Sequence, residues 1–519
     1  MRKLELRRRS LVAGLGAAAA VVTSLHAGAV ADEAPAAPAY RTATDLLQAL
    51  AARQVSAREL LDAAIARIEA LDPKINAVVV RDFDRAHAAA DAADAALARG
   101  ERRALLGLPM TVKEQFNVSG LPTTWGFEKY RDWRPDFDAL VVQRLKAAGA
   151  VILGKTNVPT GLEDWQSYNK VYGTTNNPWD LSRTPGGSSG GAAAALAAGF
   201  VPLEMGSDIG GSLRCPAHFC GVFSHKPSLD LTPQRGSGPP ETPAIPFIGD
   251  MAVIGPMARS AVDLALELQV LAGPDELWDG IGYKLALPPP RHDKITDFRV
   301  LVIDTHPLCP TAESVRSALD GLADRLAKLG CAVAHTNPHM PNLVRTTRNY
   351  YELLSAFFAA DLSPQERSEA GAAATALSPD NLSLRAARLR GLTMSHAAWI
   401  QTSRIRTGLR AAWQASFREV DVILCPPMPT PAFPHDHSPW VTRQLDIDGK
   451  QVPYENQVAW AAVATSVGLP ATVAPIGHSE EGLPIGVQII GGYLDDHTTI
   501  AFAGLIERAF GGFTPPPNL

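Results

Sequence analysis

The sequence predicts an α/β protein: a mixed central sheet covered by helices on both faces. Three observations lead there. Short runs rich in Val, Ile and Leu alternate with longer stretches whose apolar residues recur at helical spacing. Of the 519 residues, 46% are hydrophobic and 19% charged, which is globular composition with enough apolar material for a core that needs no staple. No fixed-period repeat and no second apolar run of membrane length appears.

Taken in order, the chain opens with an address. Arg2, Lys3, Arg7, Arg8 and Arg9 precede Leu11 to Thr23, thirteen mostly small or apolar residues, fewer than the about 20 a bilayer span needs. Ala29-Val30-Ala31 fits a small-x-small cleavage site. Arg8-Arg9-Ser10-Leu11-Val12 looks like a twin-arginine export signal, with general secretion the alternative. The expectation is a signal over residues 1–31 and a single domain over 32–519, periplasmic or secreted. Removing 1–31 leaves 43 basic and 52 acidic residues, net −9.

Helices are expected at Thr44 to Ala52, at Ser56 to Leu71 with Ser56 and Glu59 spaced as a capping box, and at Asp82 to Ala98. Strands are expected at Leu108 to Val112, Val151 to Leu153, Val201 to Met205, Val300 to Ile303, Val422 to Cys425, Ala471 to Ala474 and Gly486 to Ile490. Helical stretches Leu140 to Ala148 and Ser314 to Leu329 lie between them. Gly236 to Pro246, Leu287 to Pro290 and Pro426 to Pro434 predict long loops within the domain.

Composition also excludes. A formal charge of −5 offers no basic field for nucleic acid. Cys215, Cys220, Cys309, Cys331 and Cys425 form no C-x-x-C pair, and an odd count rules out a complete disulfide framework. They are expected to be buried small hydrophobes or loop residues.

The densest local signal is Gly186-Gly187-Ser188-Ser189-Gly190-Gly191, followed by Ala192 to Ala198. Glycines let a backbone approach a ligand, and a following helix aims its N-terminal amides at the loop. No Gly-Lys-Ser/Thr closes the segment, so it is not a P-loop. It fits G-x-S-x-G on Ser188 and on Ser189, yet a nucleophile elbow needs a strand just before, and Thr175 to Pro185 is polar and broken by prolines. Alone, the run would be a flexible loop opening a helix. It is not alone. Ser207-Asp208-Ile209-Gly210-Gly211-Ser212-Leu213-Arg214 follows, and upstream a strand candidate ends in Met110-Thr111-Val112-Lys113-Glu114.

A lysine at a strand end followed by two Gly-Gly-Ser turns resembles the amidase signature family: bacterial amidases, related to fatty acid amide hydrolase and amidotransferase A subunits. Val151 to Asn157, Lys226-Pro227-Ser228, Gly255 to Ser260 and Leu483 to Gln488 fit the same family, so the likeness runs from about Thr44 to Glu507. The resemblance implies a Ser-Ser-Lys triad: Ser212 as nucleophile, Ser188 between it and Lys113 in a cis peptide, and Lys113 as general base. A serine hydroxyl is a weak nucleophile until a neighbour takes its proton. A lysine can do so only when neutral. Its ordinary pKa of about 10.4 must fall by roughly 3, about 4 kcal/mol, which burial can supply. The competing role for Lys113 is a salt bridge to Glu114 or another acid, which would keep it charged. Ser188 competes as a loop residue, and Ser212 as a helix N-cap.

The turn Ile209-Gly210-Gly211-Ser212 offers backbone N–H groups as an oxyanion hole, each donor worth about 3 kcal/mol. Asp208 and Arg214 are expected to support it, and Ser189 to hydrogen-bond within the loop. Ser207 stands where the family more often has Thr, and Ser224-His225 where it often has Gly-Leu. His225 invites a Ser-His scheme, though a lone His is more often structural. Cys215 is expected to pack, since only His218 offers it a partner. Asp164, Trp165, Gln166 and Tyr168 are candidates for the substrate pocket, and Trp460 for its cover, with ordinary packing the competing role for each. The chemistry needs no metal or organic cofactor. The expected partner is a small-molecule or peptide amide, with no nucleic acid, no stable membrane association after signal removal, and a homodimer left open. Amide hydrolysis through a serine acyl-enzyme leads. An esterase, a non-catalytic binding protein and an ammonia-generating amidotransferase subunit are the alternatives.

Overall fold

The computed structural model describes residues 38–246, 249–517 and 519. The segment 1–31 expected to be an export signal lies outside them. The strands are β1 (Val78–Arg81), β2 (Pro109–Lys113), β3 (Val151–Thr156), β4 (Tyr168–Asn169), β5 (Gly173–Thr174), β6 (Leu203–Asp208), β7 (Phe223–Lys226), β8 (Val253–Ala258), β9 (Arg299–Val302), β10 (Ala332–Ala334), β11 (Val422–Cys425), β12 (Gln444–Ile447), β13 (Lys450–Pro453), β14 (Ala471–His478) and β15 (Pro484–Ile490). Eleven of them form one sheet in the order β1-β3-β2-β6-β8-β7-β14-β15-β11-β9-β10, while β4–β5 and β12–β13 form two small hairpins. Pairing is parallel for β3-β2-β6 and for β11-β9-β10, and antiparallel through the middle. The sheet is mixed, as the sequence predicts.

Both faces are covered, for a reason visible in the strands. Side chains alternate between faces. Val300 and Val302 of β9, and Val422 and Leu424 of β11, join a core cluster with the helices Glu313–Lys328 and Asp496–Phe510. Their neighbours Leu301, Ile303, Ile423 and Cys425 join another, with Trp413 and Trp460. Every position is apolar because each faces a helix layer, and burying one such side chain stabilises by about 1.5–3 kcal/mol. Trp460 is thus a core residue.

All seven expected strands are present; Val422–Cys425 keeps its bounds and the others shift or extend by one to four residues. The helices Ala43–Ala51, Ala57–Ile75 and Phe83–Ala98 match expectation, and Ser56 with Glu59 forms the capping box in both directions. Strands β1, β7, β8 and β10 go beyond the sequence pattern. β8 carries Gly255 and Pro256, which demote a strand in a sequence. β7 is Phe-Ser-His-Lys, polar but buried, with His225 tied to Thr472 and Asp496. The three Pro/Gly-rich segments run as loops. Ala39–Leu519 form one compact unit, and all five cysteines are free and buried. Among the described residues no helix is long and apolar enough to cross a membrane.

Candidate active site

Strands β2 and β6 are parallel neighbours, so their carboxyl ends open on the same edge, the usual location for ligand sites in sheets of this kind. Lys113 is the last residue of β2, and Asp208 is the last of β6. The chain leaves β6 through Ile209-Gly210-Gly211-Ser212-Leu213 and enters the short helix Arg214–Cys220. The Gly/Ser loop arrives from the other side and opens the helix Gly190–Ala197, whose Ala-rich body is buried throughout. Thr175 to Pro185 contains no strand, so the loop is not an elbow. Glycine at 187 is required by close approach, since a Cβ there would lie 2.8 Å from the Gln166 nitrogen.

These elements bring Lys113 and Ser188 together across 75 residues of sequence. Lys113 Nζ donates to Ser188 Oγ at 2.7 Å and to Ser207 Oγ at 2.9 Å. The Gly187–Ser188 peptide bond is cis. Lys113 is fully buried, and among the described residues no carboxylate lies within salt-bridge distance of it. Burial pushes its ammonium down to about 7, against the opposing pull of Asp208 and Glu204. Burial also raises Glu204 to about 8, although Thr111 and the Met205 amide donate to it. The Glu114 carboxylate turns away, accepting from the Thr124 and Trp125 amides and from the Tyr172 hydroxyl. The salt bridge that would have kept Lys113 charged is not made.

Ser212 is 6% exposed. Its carbonyl accepts from the Ser189 amide at 3.2 Å, which locks the two Gly-Gly-Ser turns together. The Ser189 hydroxyl lies 3.4 Å from the Ser207 carbonyl. Among the described residues, the Ser188 and Ser212 hydroxyls do not hydrogen-bond to each other; such contacts are often long in ligand-free sites. Asp208 and Arg214 form a buried bidentate pair, at 3.0 Å from Nε to Oδ2 and 2.8 Å from Nη2 to Oδ1. Burial opposes the Asp208 charge, yet Arg214 holds its carboxyl down at about 2. Arg214 also donates to Gln488, Thr465 and the Ala461 carbonyl. Asp208 in turn accepts from the Gly211 and Leu213 amides. The Gly211 N–H expected in an oxyanion hole is therefore already engaged by Asp208, whereas among the described residues the Ile209, Gly210 and Ser212 amides have no side-chain or turn partner. Gly211 holds φ +97°, a conformation that favours glycine.

The pocket candidates divide. Trp165 donates to the Gly210 carbonyl at 2.8 Å and packs on Trp440 and Tyr454 beside the turn. Asp164 is engaged elsewhere, accepting from Arg443 at 2.6 Å and from Tyr454 at 2.8 Å. Gln166 binds the Asp436 backbone through both ends of its amide, and Tyr168 accepts from Arg443 and stacks on His437. These three brace the 434–443 loop instead of offering free polar atoms to a ligand. Both ring nitrogens of His225 are taken, by Thr472 and Asp496, so it offers no base to a serine. His218 holds the Thr430 carbonyl and the Gly486 amide, and burial raises the Cys215 thiol, so no Cys-His pair forms. Sequence reasoning missed Gln115, whose Oε1 lies 2.5 Å from Ser207 Oγ, and Tyr350, which donates to the Ile209 carbonyl at 2.6 Å from a helix 141 residues away. Neither carries a local motif.

Comparison with known proteins gives the class first. A solved structure of a vestigial protein complex bearing on the origins of an s-triazine catabolic enzyme matches with TM-score 0.76 and 29% identity, over 90% of this chain and 98% of that one. A 6-aminohexanoate cyclic dimer hydrolase matches with TM-score 0.73 and 26% identity, over 93% and 99%. The A subunit of the glutamyl-tRNA(Gln) amidotransferase of Anaeromyxobacter sp. (strain K) is 32% identical over 490 residues, covering 90% of this chain and 96% of that protein. Residues 59–500 match the family described as Amidase. The chain belongs to this family, the amidase signature family, whose members act on the C–N bond of amides.

Proposed function

We propose that the protein hydrolyses a carboxylic amide to acid and amine through an acyl-enzyme on Ser212. One observation carries the proposal: a buried amine 2.7 Å from Ser188 Oγ, with no carboxylate partner among the described residues. Burial holds the Lys113 ammonium down at about 7, so the free base is accessible near neutral pH. Lys113 Nζ takes the Ser188 proton while Ser188 Oγ takes that of Ser212, and Ser212 Oγ bonds to the substrate carbonyl carbon. The oxygen charge that develops faces the Ile209 and Gly210 amides, aimed by the Asp208–Arg214 pair beneath the turn. The proton returns through Ser188 to the leaving nitrogen, the C–N bond breaks and the amine departs. Water then repeats the sequence on the ester, releasing the acid and regenerating Ser212.

A panel of aliphatic, aryl and peptide amides, with a fluorophosphonate probe for Ser212, tests this. Ser212→Ala should lose both turnover and labelling, and Lys113→Ala should lose turnover. Full activity in either variant removes the proposal. Matched esters measured alongside separate an amidase from an esterase.

A second reading has a specific basis, the names of the curated relatives: an ammonia-generating amidotransferase subunit. Glutaminase activity together with co-purification of a tRNA-binding partner would favour it. The Arg8-Arg9-Ser10 segment and the apolar run after it favour an exported amidase, which cell fractionation would test.

A further inference from the structure

We propose that Gln115, acting through Ser207, is a positioning residue that turns the lone pair of the Lys113 amine toward Ser188. The inference deepens the amidase proposal and rests on Lys113 acting there as base. Lys113 Nζ has two partners, Ser188 Oγ at 2.7 Å and Ser207 Oγ at 2.9 Å. Ser207 Oγ has a second neighbour, Gln115 Oε1 at 2.5 Å. An amide oxygen only accepts, so the single Ser207 proton points at Gln115. Toward Lys113, Ser207 then offers only lone pairs, and the amine must donate an N–H to it. A neutral amine has two N–H bonds and one lone pair. Fixing one N–H on Ser207 stops free rotation about Cε–Nζ and leaves the lone pair able to receive the Ser188 proton. Remove the Gln115 carbonyl, and the Ser207 hydroxyl can swing its proton onto that same lone pair, competing with Ser188.

Gln115 is held for this task. Its Nε2 donates to the Ser237 carbonyl at 3.3 Å, which sets Oε1 as the end facing Ser207. Its own carbonyl accepts from the Trp125 indole at 3.1 Å, and its side chain is buried. The charged groups around the amine do not supply the same direction. Glu204 and Asp208 of β6 favour the ammonium, and Arg214 of the following helix is taken up by Asp208. Lys155 of β3 binds Pro122 and Thr123, Glu114 binds the 124–125 amides, and the helix Gly190–Ala197 carries no charge. These set how readily Lys113 holds a proton. The Ser207–Gln115 pair sets where its lone pair points.

The test uses the full chain and an amide that the wild type hydrolyses. For Gln115→Leu, kcat should fall roughly 10- to 100-fold with KM within about twofold, the scale of one misaligned hydrogen bond to a charge-bearing group. Ser207→Ala should fall similarly, and the double variant no further than the worse single, because both remove one device. Gln115→Glu keeps an acceptor toward Ser207, loses the donor to the Ser237 carbonyl and places a negative charge beside the amine, so the acidic limb of kcat/KM should move up by about one pH unit. Wild-type kcat in Gln115→Leu, or losses that multiply in the double variant, overturns the inference. If Gln115→Leu fails to fold, Ser207→Ala decides alone, and wild-type kcat in that variant overturns the inference. Ser212→Ala run in parallel separates the two levels. An inactive Ser212→Ala beside an unaltered Gln115→Leu rejects this inference only, whereas an active Ser212→Ala rejects the amidase proposal and this inference with it.

Discussion

Replacing Lys113 with methionine should abolish turnover and yet stabilise the protein at neutral pH. The folded state holds this amine at about 7, against an ordinary 10.5. Keeping it there costs about 5 kcal/mol at and below neutral pH, from the roughly 1.4 kcal/mol that each pKa unit represents. Between about 7 and 10.5 the unfolded chain binds a proton that the folded chain does not, so wild-type stability rises with pH through that window. Methionine has a similar stem and no charge, so the cost disappears. Against it stand the Ser188 and Ser207 hydroxyls, each losing a partner worth about 1 kcal/mol. The net at pH 7 is about 3 kcal/mol in favour of Lys113→Met. By about pH 10 to 10.5 only the lost hydrogen bonds remain, and the order reverses. Urea unfolding midpoints for both proteins from about pH 6 to 10 give the answer. Equal stability at pH 7, or a gap that does not change with pH, refutes the claim that the fold carries a neutral buried lysine.

Three further outcomes are expected. In wild type, kcat/KM should climb through a pH near 7 and level off above it, since the base works only unprotonated; a flat profile from about pH 5 to 9 contradicts the role of Lys113. Arg214→Met leaves the Asp208 carboxylate buried without its cation, so unfolding should shift by about 3–5 kcal/mol, and adding Asp208→Asn should recover part of it. Gly211→Ala puts a Cβ at φ +97° and 3.3 Å from the Ala461 Cβ, so kcat should fall and stability drop by about 1–3 kcal/mol, read by amide turnover and thermal melting.

What the sequence made legible depends on the range of the interactions. Strands such as Val422–Cys425 announce themselves because every side chain meets a helix layer, so local hydrophobicity and final burial agree. β7 gave no such notice. Strand β7 is covered by β14, more than two hundred residues later, and His225 finds its polar partners there and beyond, in Thr472 and Asp496. The contact of Lys113 with Ser188 was readable because both lie in short, recognisable segments, one of them marked by glycines. The Ser207–Gln115 contact was not, since a glutamine two residues beyond a lysine has no distinguishing pattern. Asp164 and Gln166 misled for the opposite reason: polar residues near an aromatic one look like a pocket, and only the folded chain shows that Arg443 and the Asp436 backbone already occupy them.

The strand order has a consequence for synthesis. β14 and β15, built from residues 471–490, lie between β7 and β11, so the last strands made occupy the middle of the sheet. Until they emerge from the ribosome, strands β7 and β11 have exposed edges, and the strands before and after them share no ladder, although contacts such as Tyr350 to the Ile209 carbonyl already lie within the chain made. Assembly of the sheet is therefore a post-translational event. Truncation before residue 471 should leave the sheet split, with two open strand edges prone to aggregation, not a shortened enzyme.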